Sequence, residues 1–194
     1  MTEARQEMLR YCLSCGEEVP TYQVDKVGEV ETRCAYCGLP LEITPRARGL
    51  VPECVILADD EMLFRSLLSK LLEEEGLARQ VIACESGPAL LTECVQRLRD
   101  RLPIDLVILD ILMTPMDGPT AGLALRAVEK GFGLPEPVPI LFFSAVRADE
   151  NLRRQLGYAA PAFYLNKGSD ATPARVAQRL RELFPRLLAA GKGR

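Results

Sequence analysis

Four short apolar runs along the chain each end at a charged or hydroxyl residue. The runs occupy residues 54–58, 106–109, 139–143 and 162–166. Runs of about four to eight β-prone apolar residues, bounded by turn signals, are typical of buried strands. A further strand is predicted at residues 79–84, and residues 64–72 carry one apolar stripe at helical spacing. The pattern therefore predicts strands that alternate with helices.

This alternation predicts an α/β protein with a parallel sheet. All strands of a parallel sheet point the same way, so the residues that follow them meet at one edge, where ligands of such sheets bind. The residues in this position are Asp59, Asp60, Asp110, Ser144 and Lys167. The sequence thus predicts a polar site with three carboxylates, one hydroxyl and one amine.

These side chains suit phosphoryl chemistry that uses a divalent metal. Three crowded carboxylates repel one another unless a cation lies among them, and Mg²⁺ is the usual cation with oxygen ligands at a phosphate site. The chain contains no histidine. That absence excludes Ser-His-Asp and Cys-His catalysis, and a phosphohistidine would have to belong to another protein.

Residues 53 to about 190 resemble the receiver domain of two-component response regulators. The resemblance rests on four motifs in chain order: Ala-Asp-Asp-Glu at 58–61, Asp-Ile-Leu-Met-Thr-Pro-Met-Asp-Gly at 110–118, Ser-Ala at 144–145 and Tyr-Leu-Asn-Lys at 164–167. It implies a flavodoxin-like, doubly wound sheet of five parallel strands in the order 2-1-3-4-5. It also implies a phospho-acceptor that assists its own phosphorylation and dephosphorylation, and not an enzyme.

The resemblance implies a role for each acidic residue. Asp110 is the expected phospho-acceptor. Asp59 and Asp60 are expected to hold Mg²⁺ together with Asp110, and the backbone carbonyl of Leu112 is expected as a further ligand. The expected reaction is in-line attack of a carboxylate on a donor phosphorus, with metal and lysine neutralising the phosphoryl oxygens.

Three further roles follow from the same resemblance. Lys167 is expected to pair with the acceptor carboxylate and then with the phosphoryl group. Ser144 is expected to donate a hydrogen bond to a phosphoryl oxygen once it arrives. Tyr164 is the expected aromatic switch residue, which moves into the space that Ser144 vacates. The alternative for Tyr164 is a plain core aromatic.

The sequence departs from the family pattern at two places. A proline commonly lies four residues after the acceptor, but here Thr114 stands at that position and Pro115 follows. The family lysine is usually followed by proline, whereas Lys167 is followed by Gly168. Glycine fixes the backbone less firmly than proline does.

The first part of the chain carries two pairs of cysteines. Cys12 and Cys15 form one Cys-x-x-Cys pair, Cys34 and Cys37 form the second, and a glycine follows each. This spacing is typical of a four-cysteine Zn²⁺ site, and residues 21–33 alternate like a short β-hairpin between the pairs. Residues 10–43 thus resemble a zinc ribbon. A redox dithiol pair is the alternative, although no buried strand precedes either pair.

The motifs and the composition predict how the chain divides into modules and in which cellular compartment it lies. We expect a zinc-ribbon-like module at 1–44, a Pro/Gly-punctuated linker at 45–52 and the receiver domain at 53–190. The chain has 194 residues, a net charge of −3 and seven cysteines. No apolar stretch reaches the roughly 18 residues of a membrane span, and no signal-peptide core is present, so a cytoplasmic protein with reduced or metal-bound thiols is expected.

Charge bears on the partner of the first module. Residues 1–50 contain six basic and eight acidic side chains, which gives a net charge of −2. Nucleic-acid modules usually carry a basic stripe, so protein interaction is favoured over nucleic-acid binding. The simplest interpretation is a small protein-interaction module whose fold depends on the metal.

The main hypothesis is a signalling protein that a sensor histidine kinase or a phosphotransfer protein phosphorylates in trans. Its output would pass through contacts with an unidentified protein, or through a phosphorylation-dependent homodimer. The alternatives are a nucleic-acid-binding transcriptional regulator that uses the zinc ribbon, and a receiver-like module that binds without phosphate. A haloacid-dehalogenase-like phosphatase would need an aspartate two residues after Asp110, where Leu112 stands.

The last predicted helices carry several arginines and one proline. Several arginines predict a solvated basic face, with docking of a partner as the alternative. They are Arg153, Arg154, Arg175, Arg179 and Arg181. Pro185 lies inside the last predicted helix, and it is expected to kink the helix or end it early.

Overall fold

The computed structural model of the chain describes residues 9–26, 29–38, 40–41, 51–147, 149–168 and 172–190. Most of the predicted linker, residues 45–52, lies outside the described residues, as do residues 1–8 and 42–44 of the predicted first module. Within the described part of the chain, no helix is both long enough and apolar enough to cross a membrane.

Four short strands form the N-terminal part. Strand β1 (Arg10–Cys12) pairs antiparallel with β2 (Glu17–Val19), and β3 (Thr21–Lys26) pairs antiparallel with β4 (Glu29–Cys34). The predicted hairpin between the cysteine pairs is therefore confirmed. Residues 9–41 are called the cysteine module below.

Five parallel strands form the sheet of the second part. They are β5 (Cys54–Ala58), β6 (Gln80–Cys84), β7 (Leu106–Leu109), β8 (Ile140–Ser144) and β9 (Ala162–Asn166). Their order across the sheet is β6-β5-β7-β8-β9, and all four pairings are parallel. The predicted order 2-1-3-4-5 is confirmed, because β5 is the first strand of this part. Strands β6 and β9 form the two edges of the sheet.

Helices cover both faces of this sheet. They are α1 (Met62–Glu74), α2 (Gly87–Arg99), α3 (Gly118–Phe132), α4 (Glu150–Gly157) and α5 (Pro173–Ala190). The apolar sides of α1 and α5 pack on one face with Leu57 and Ile108, whereas those of α2, α3 and α4 pack on the other with Ile56 and Val107. Since alternate residues of a strand point to opposite faces, apolar runs of this kind are needed where both faces are covered.

The last helix differs from its prediction in one respect. Helix α5 continues through Pro185 to Ala190, although the proline was expected to kink it or end it early. The prediction of an early end was wrong. Phe184 and Leu187 on either side of the proline are almost fully buried in the core. Their burial stabilises the last turns of the helix despite the backbone hydrogen bond that proline cannot donate.

Candidate functional site

Three carboxylates meet at the carboxyl edge of the sheet. Asp59 and Asp60 follow β5, and Asp110 follows the adjacent β7, with Ala58 and Leu109 paired in register just before them. One carboxylate oxygen from each aspartate lies within 4.8 Å of the others. The parallel topology thus brings together residues that are about 50 positions apart in the chain, as the sequence predicts.

The buried member of the cluster is Asp59, which is 2% exposed. Its Oδ1 accepts a hydrogen bond from the amide of Glu61 at 2.9 Å, and its Oδ2 accepts one from Lys167 at 2.8 Å. Burial raises the pKa of the Asp59 carboxyl above its ordinary value, and the Lys167 ammonium offsets part of that effect. Arg65 donates to the main-chain carbonyl of Asp59 at 2.6 Å and so anchors the start of the turn.

The other two carboxylates each accept a hydrogen bond from a backbone amide of the loop after β7. Asp60 is exposed, and its Oδ2 accepts from the amide of Thr114 at 3.1 Å. Asp110 is 7% exposed, and its Oδ2 accepts from the amide of Leu112 at 3.2 Å. The Oδ1 atom of Asp110 is buried and has no hydrogen-bond partner among the described residues, although the Lys167 ammonium lies 3.3 Å away. A buried carboxylate oxygen in this condition fits a site that binds a cation or accepts a new bond.

The loop after Asp110 requires a glycine at its end. The amide of Gly118 donates to the carbonyl of Ile111 at 3.0 Å. A Cβ atom at position 118 would lie 2.1 Å from the carbonyl oxygen of Asp110. The Asp-Gly pair of the motif therefore has two physical functions: Asp117 caps α3 by accepting from the amide of Thr120 at 2.8 Å, and Gly118 permits close backbone contact.

Contacts with residues far away in the sequence hold Lys167 beside the acidic cluster. Its ammonium lies 3.9 Å from the centroid of the Phe64 ring, in addition to its ion pairs with Asp59 and Asp110. Its amide donates to the carbonyl of Ser144 at 2.8 Å. These contacts hold the lysine in a chain that lacks the usual proline after it.

Gly168 has a left-handed backbone with φ of 77°. Its amide donates to Oδ1 of Asn166 at 2.7 Å. This small turn stands where the resemblance predicts a proline after the lysine, and glycine is the residue best able to adopt it.

No signal in the sequence assigned Phe64 to the site. The residue lies in the apolar stripe of α1, and nothing in that pattern separates it from a core aromatic.

The predicted switch residues lie near this cluster. Ser144 ends β8 and is 2% exposed, and Tyr164 in β9 is 8% exposed. The hydroxyl of Tyr164 donates to the carbonyl of Val146 and accepts from the side-chain amide of Asn166 at 2.7 Å. Burial raises the pKa of Tyr164 to about 12, so its hydroxyl stays protonated and can donate. The structure therefore connects the tyrosine to the segment that directly follows Ser144.

A second cluster brings four cysteines together. The four sulfur atoms lie within 4.8 Å of one another, with 3.5 Å between those of Cys12 and Cys37 and 3.7 Å between those of Cys15 and Cys34. Four thiolates at about 2.3 Å from a tetrahedral Zn²⁺ would lie about 3.8 Å apart, so the donor set fits this metal.

Local hydrogen bonds prepare these sulfur atoms for a metal. The amides of Tyr36 and Cys37 each donate to the sulfur of Cys34 at 3.3 Å. Hydrogen bonds with the other three cysteines lower the pKa of the Cys34 thiol well below its usual value, whereas the hydrogen bond with Cys12 raises the pKa of the Cys15 thiol, so Cys34 is the thiol that ionises first. Donors directed at one sulfur stabilise its thiolate form, which is the form that binds metal.

The arginines of α4 and α5 do not form one solvated face. Arg154, Arg175 and Arg181 are exposed, but Arg179 is only 5% exposed. Its Nε donates to the carbonyl of Leu13 at 2.6 Å, and its Nη2 donates to the carbonyl of Ser14 at 2.8 Å. The prediction of a solvated face was wrong at this position. A signal was available, since Arg179 lies within the buried stripe of α5.

Comparisons with known proteins agree with this geometry. A family model for the response regulator receiver domain matches residues 55–178. The histidine kinase CKI1 from Arabidopsis thaliana is 30% identical over 92 residues, which represent 43% of this chain and 8% of that kinase.

Two solved structures extend the comparison. The receiver domain of the same kinase, in complex with Mg²⁺, is 27% identical with a TM-score of 0.56, and the match covers 68% of this chain and 91% of that domain. The signal receiver domain of NarL from Mycobacterium tuberculosis is 26% identical with a TM-score of 0.51, and the match covers 75% of this chain and all of that domain.

Proposed function

The chain belongs to the response regulator receiver family, and on that premise we propose that it is a signalling protein controlled by phosphorylation of Asp110. The observation that carries the proposal is the buried Oδ1 atom of Asp110, which accepts no hydrogen bond from the described residues and faces Lys167 beside two further carboxylates. A sensor histidine kinase or a phosphotransfer protein supplies the phosphoryl group in trans, since this chain has no histidine.

The reaction requires little covalent chemistry from the protein. An oxygen of the ionised Asp110 carboxylate forms a bond to phosphorus, while the bond from phosphorus to the donor group breaks and the donor keeps the electron pair. Lys167 stabilises the charge on the phosphoryl oxygens, and Ser144 donates its hydroxyl hydrogen to one of them. The product is an acyl phosphate on the protein.

Asp59, Asp60 and Asp110 would hold Mg²⁺, with the backbone carbonyl of Leu112 as a further ligand. The fit rests on three carboxylate oxygens within 4.8 Å and on the buried Oδ1 atom of Asp110, which accepts no hydrogen bond from the part of the chain that the structure describes. When bound, the metal neutralises negative charge that would otherwise oppose transfer to a carboxylate. The amide of Thr114 keeps Asp60 turned toward this position.

The cysteine module is proposed to be a zinc ribbon that forms protein contacts. Its support is the four-sulfur geometry and the acidic balance of residues 1–50. A reducing compartment such as the cytoplasm would keep these thiols available for metal. Together the two modules make a protein whose phosphorylation changes its contacts with a partner protein.

The direct test is intact mass spectrometry after incubation with Mg²⁺ and acetyl phosphate. The wild-type protein is expected to gain the mass of one phosphoryl group, and EDTA is expected to prevent the gain. Unchanged mass in a protein that still binds Mg²⁺ would contradict the proposal and would favour a receiver-like module that binds without phosphate.

Mg²⁺ binding is expected to strengthen as the pH rises through the raised pKa of Asp59. The buried carboxyl is more easily protonated than an ordinary one, so the stability it contributes without metal is present in acid and is lost as the pH rises through that pKa. Mg²⁺ displaces this proton, so its affinity should increase by up to about tenfold per pH unit in that range. Calorimetric titrations at a series of pH values, from about 4, the ordinary pKa of an aspartate, upward to neutral pH, measure this slope.

A variant without the titrating carboxyl tests whether the buried charge of Asp59 lowers the stability of the folded protein. Asp59→Asn is expected to melt at a higher temperature than the wild type near neutral pH without Mg²⁺, by the equivalent of roughly 0.5–2 kcal/mol. The cause is the loss of a negative charge that burial disfavours. Equal Mg²⁺ affinity at all these pH values in the wild type would argue against Asp59 as a titrating ligand.

Phe64 is expected to position Lys167 for phosphoryl transfer. In Phe64→Leu the ammonium loses the ring at 3.9 Å, and the rate of phosphorylation by acetyl phosphate should fall about two- to tenfold, as a cation–π contact of ~0.5–1.4 kcal/mol implies. Phe64→Tyr is the control that keeps an aromatic face and should keep the rate. A normal rate in the leucine variant would show that the two ion pairs alone hold the lysine.

A further inference from the structure

The cysteine module lies against the edge strand β9 and against α4 and α5. Its polar contacts there connect Ser14 with Tyr164, Asn166 and Arg179, Leu13 with Arg179, Glu17 with Arg147, Ala35 with Arg153, and Pro40 with Arg186. The surface formed by β9, the segment 145–147, α4 and α5 is called the docking face below. The sequence left open whether the arginines of this surface bind a partner, and the structure places part of the same chain there.

Arg179 is the central anchor of this contact. Its buried guanidinium bonds to the carbonyls of Leu13 and Ser14, two residues that lie between the first two cysteines. A Cβ atom at Gly16 would lie 2.8 Å from a guanidinium nitrogen of Arg179. Gly16 also has a φ of 75°. The glycine after the first cysteine pair therefore serves the turn and permits the close approach of Arg179.

The cysteine module also covers the edge of the sheet. The amide of Asn166 in β9 donates to the carbonyl of Ser14 at 2.5 Å. The side chain of Ser14 donates to the carbonyl of Tyr164 in the same strand. An uncovered edge strand presents unpaired backbone groups to other chains, so the position of Ser14 blocks such pairing.

Segment 145–147 connects the docking face to the acceptor site, because Ser144 directly precedes it. Within the segment, the carbonyl of Val146 accepts a hydrogen bond from the hydroxyl of Tyr164. Arg147 forms an ion pair with Glu17 of the cysteine module at 2.9 Å. Lys167 fastens the same segment from the other side through the carbonyl of Ser144. A displacement of Ser144 toward Asp110 would therefore move both Val146 and Arg147.

The contact between the two parts is incompletely packed near the tyrosine. A cavity of about 240 Å³ is lined by residues of both parts, among them Cys15, Tyr36, Arg147 and Tyr164. Close-packed interiors leave few voids larger than a water molecule. This cavity therefore leaves unfilled space beside Tyr164 at the contact between the two parts.

We propose that the docking of the cysteine module and the phosphorylation of Asp110 oppose each other. The inference rests on the proposed function, since it assigns the regulation of the same site. In the docked state, the ion pair between Glu17 and Arg147 and the hydrogen bond from Tyr164 of β9 to Val146 hold segment 145–147 in its resting position. Phosphorylation draws Ser144 toward the phosphoryl group, separates Arg147 from Glu17 and loosens the module. The released module uncovers β9 and the docking face, which then become available to a partner protein.

Thermodynamic linkage makes this coupling reciprocal: the effect of phosphorylation on docking and the effect of docking on phosphoryl binding have the same size. If phosphorylation weakens docking by a given factor, loss of docking strengthens the binding of a phosphoryl mimic by the same factor. Couplings of this kind are typically about five- to 150-fold. Both directions can be measured on the full chain with Mg²⁺ and beryllofluoride, an ion that binds an aspartate carboxylate as a phosphoryl mimic.

The first measurement is hydrogen exchange of single amides in the wild-type protein. The amide of Asn166 reports docking because its acceptor is Ser14. Mg²⁺ with beryllofluoride is expected to accelerate its exchange about fivefold or more, the lower bound of such couplings. The amide of Val107, which donates to Pro139 inside the sheet, is the internal control and should not respond in this way.

The second measurement uses two arginines of the same helix. Arg179→Met removes the donors to the cysteine module, and it should increase the apparent affinity for beryllofluoride about fivefold or more. Arg181→Met is the matched control, because Arg181 is exposed and pairs with Glu75 instead. Its affinity should equal that of the wild type. If Arg179→Met does not fold, the exchange measurement on the wild type still decides the question.

The two ways of failing differ in their results. If beryllofluoride binds the wild type and Arg179→Met equally, and the exchange of Asn166 does not change, the coupling is refuted while the proposed function stands. If neither beryllofluoride nor acetyl phosphate acts on any of the proteins in the presence of Mg²⁺, the proposed function fails and the coupling fails with it.

Discussion

Asp110→Asn is expected to abolish phosphorylation by acetyl phosphate, with no gain in mass under conditions that fully modify the wild type. The oxygen of a neutral amide is a far weaker nucleophile than that of an ionised carboxylate, and the side chain also loses the charge that Lys167 balances at 3.3 Å. Loss of a covalent acceptor removes the reaction itself, so the effect is larger than that of any change to a neighbouring group.

The nearby Asp117 provides a matched control for this result. Asp117→Asn makes the same chemical change seven residues later, and asparagine caps a helix about as well as aspartate does. The cap on α3 should therefore persist, with the amide of Thr120 as its donor, and phosphorylation should proceed at the wild-type rate. A phosphoryl group on Asp110→Asn would identify another acceptor, and peptide mapping would locate it.

The second large effect concerns the four cysteines. Cys34→Ser is expected to lose the metal and to unfold the cysteine module, while the five-stranded part stays folded. Among the residues of the module whose burial is described, the buried apolar ones are Cys12, Val19 and Cys34, with a few partly buried neighbours. Such a core cannot hold four strands, and structural Zn²⁺ typically supplies about 10–16 kcal/mol of apparent binding free energy to small modules.

Zinc content and amide exchange measure this prediction together. The wild type should contain one zinc per chain, and Cys34→Ser should contain none and should show fast exchange throughout β3 and β4. Cys94→Ala is the control, because this thiol is fully buried in the α/β part, where burial raises its pKa to about 12. Its zinc content should not change. A metal-free wild type with reversible Cys12–Cys15 oxidation would instead support the redox alternative.

Much of the acidic site could be predicted because parallel strands make sequence position and spatial position correspond. Any residue that directly follows a buried strand must lie at the same edge of the sheet. Asp59, Asp60 and Asp110 needed only the positions of two strands to be brought together. The cysteine cluster followed in the same way from a short spacing, since two Cys-x-x-Cys turns joined by a hairpin place four sulfurs close together.

The contacts that hold Lys167 were less accessible to sequence reasoning. Phe64 and Lys167 are about 100 positions apart, and an aromatic in an apolar stripe is equally compatible with an ordinary core position. Pro185 shows the converse case, in which a strong local preference against helix was overcome by the burial of its neighbours. Local propensities are small beside the free energy of burying a large apolar side chain.

By itself, the pattern of the sequence determined the α/β fold and the residues at the carboxyl edge, because apolar runs and helical stripes encode which surfaces must be buried. The order of the strands came from the resemblance to the receiver family and not from this pattern. Only the tertiary structure decided where the cysteine module lies. That position depends on backbone carbonyls of Leu13 and Ser14 and on the backbone amide of Asn166 at the edge of the sheet, which are groups that nearly every residue carries. Contacts made by the backbone leave almost no mark on the sequence, and here the partial mark was Arg179, a charge within a buried stripe.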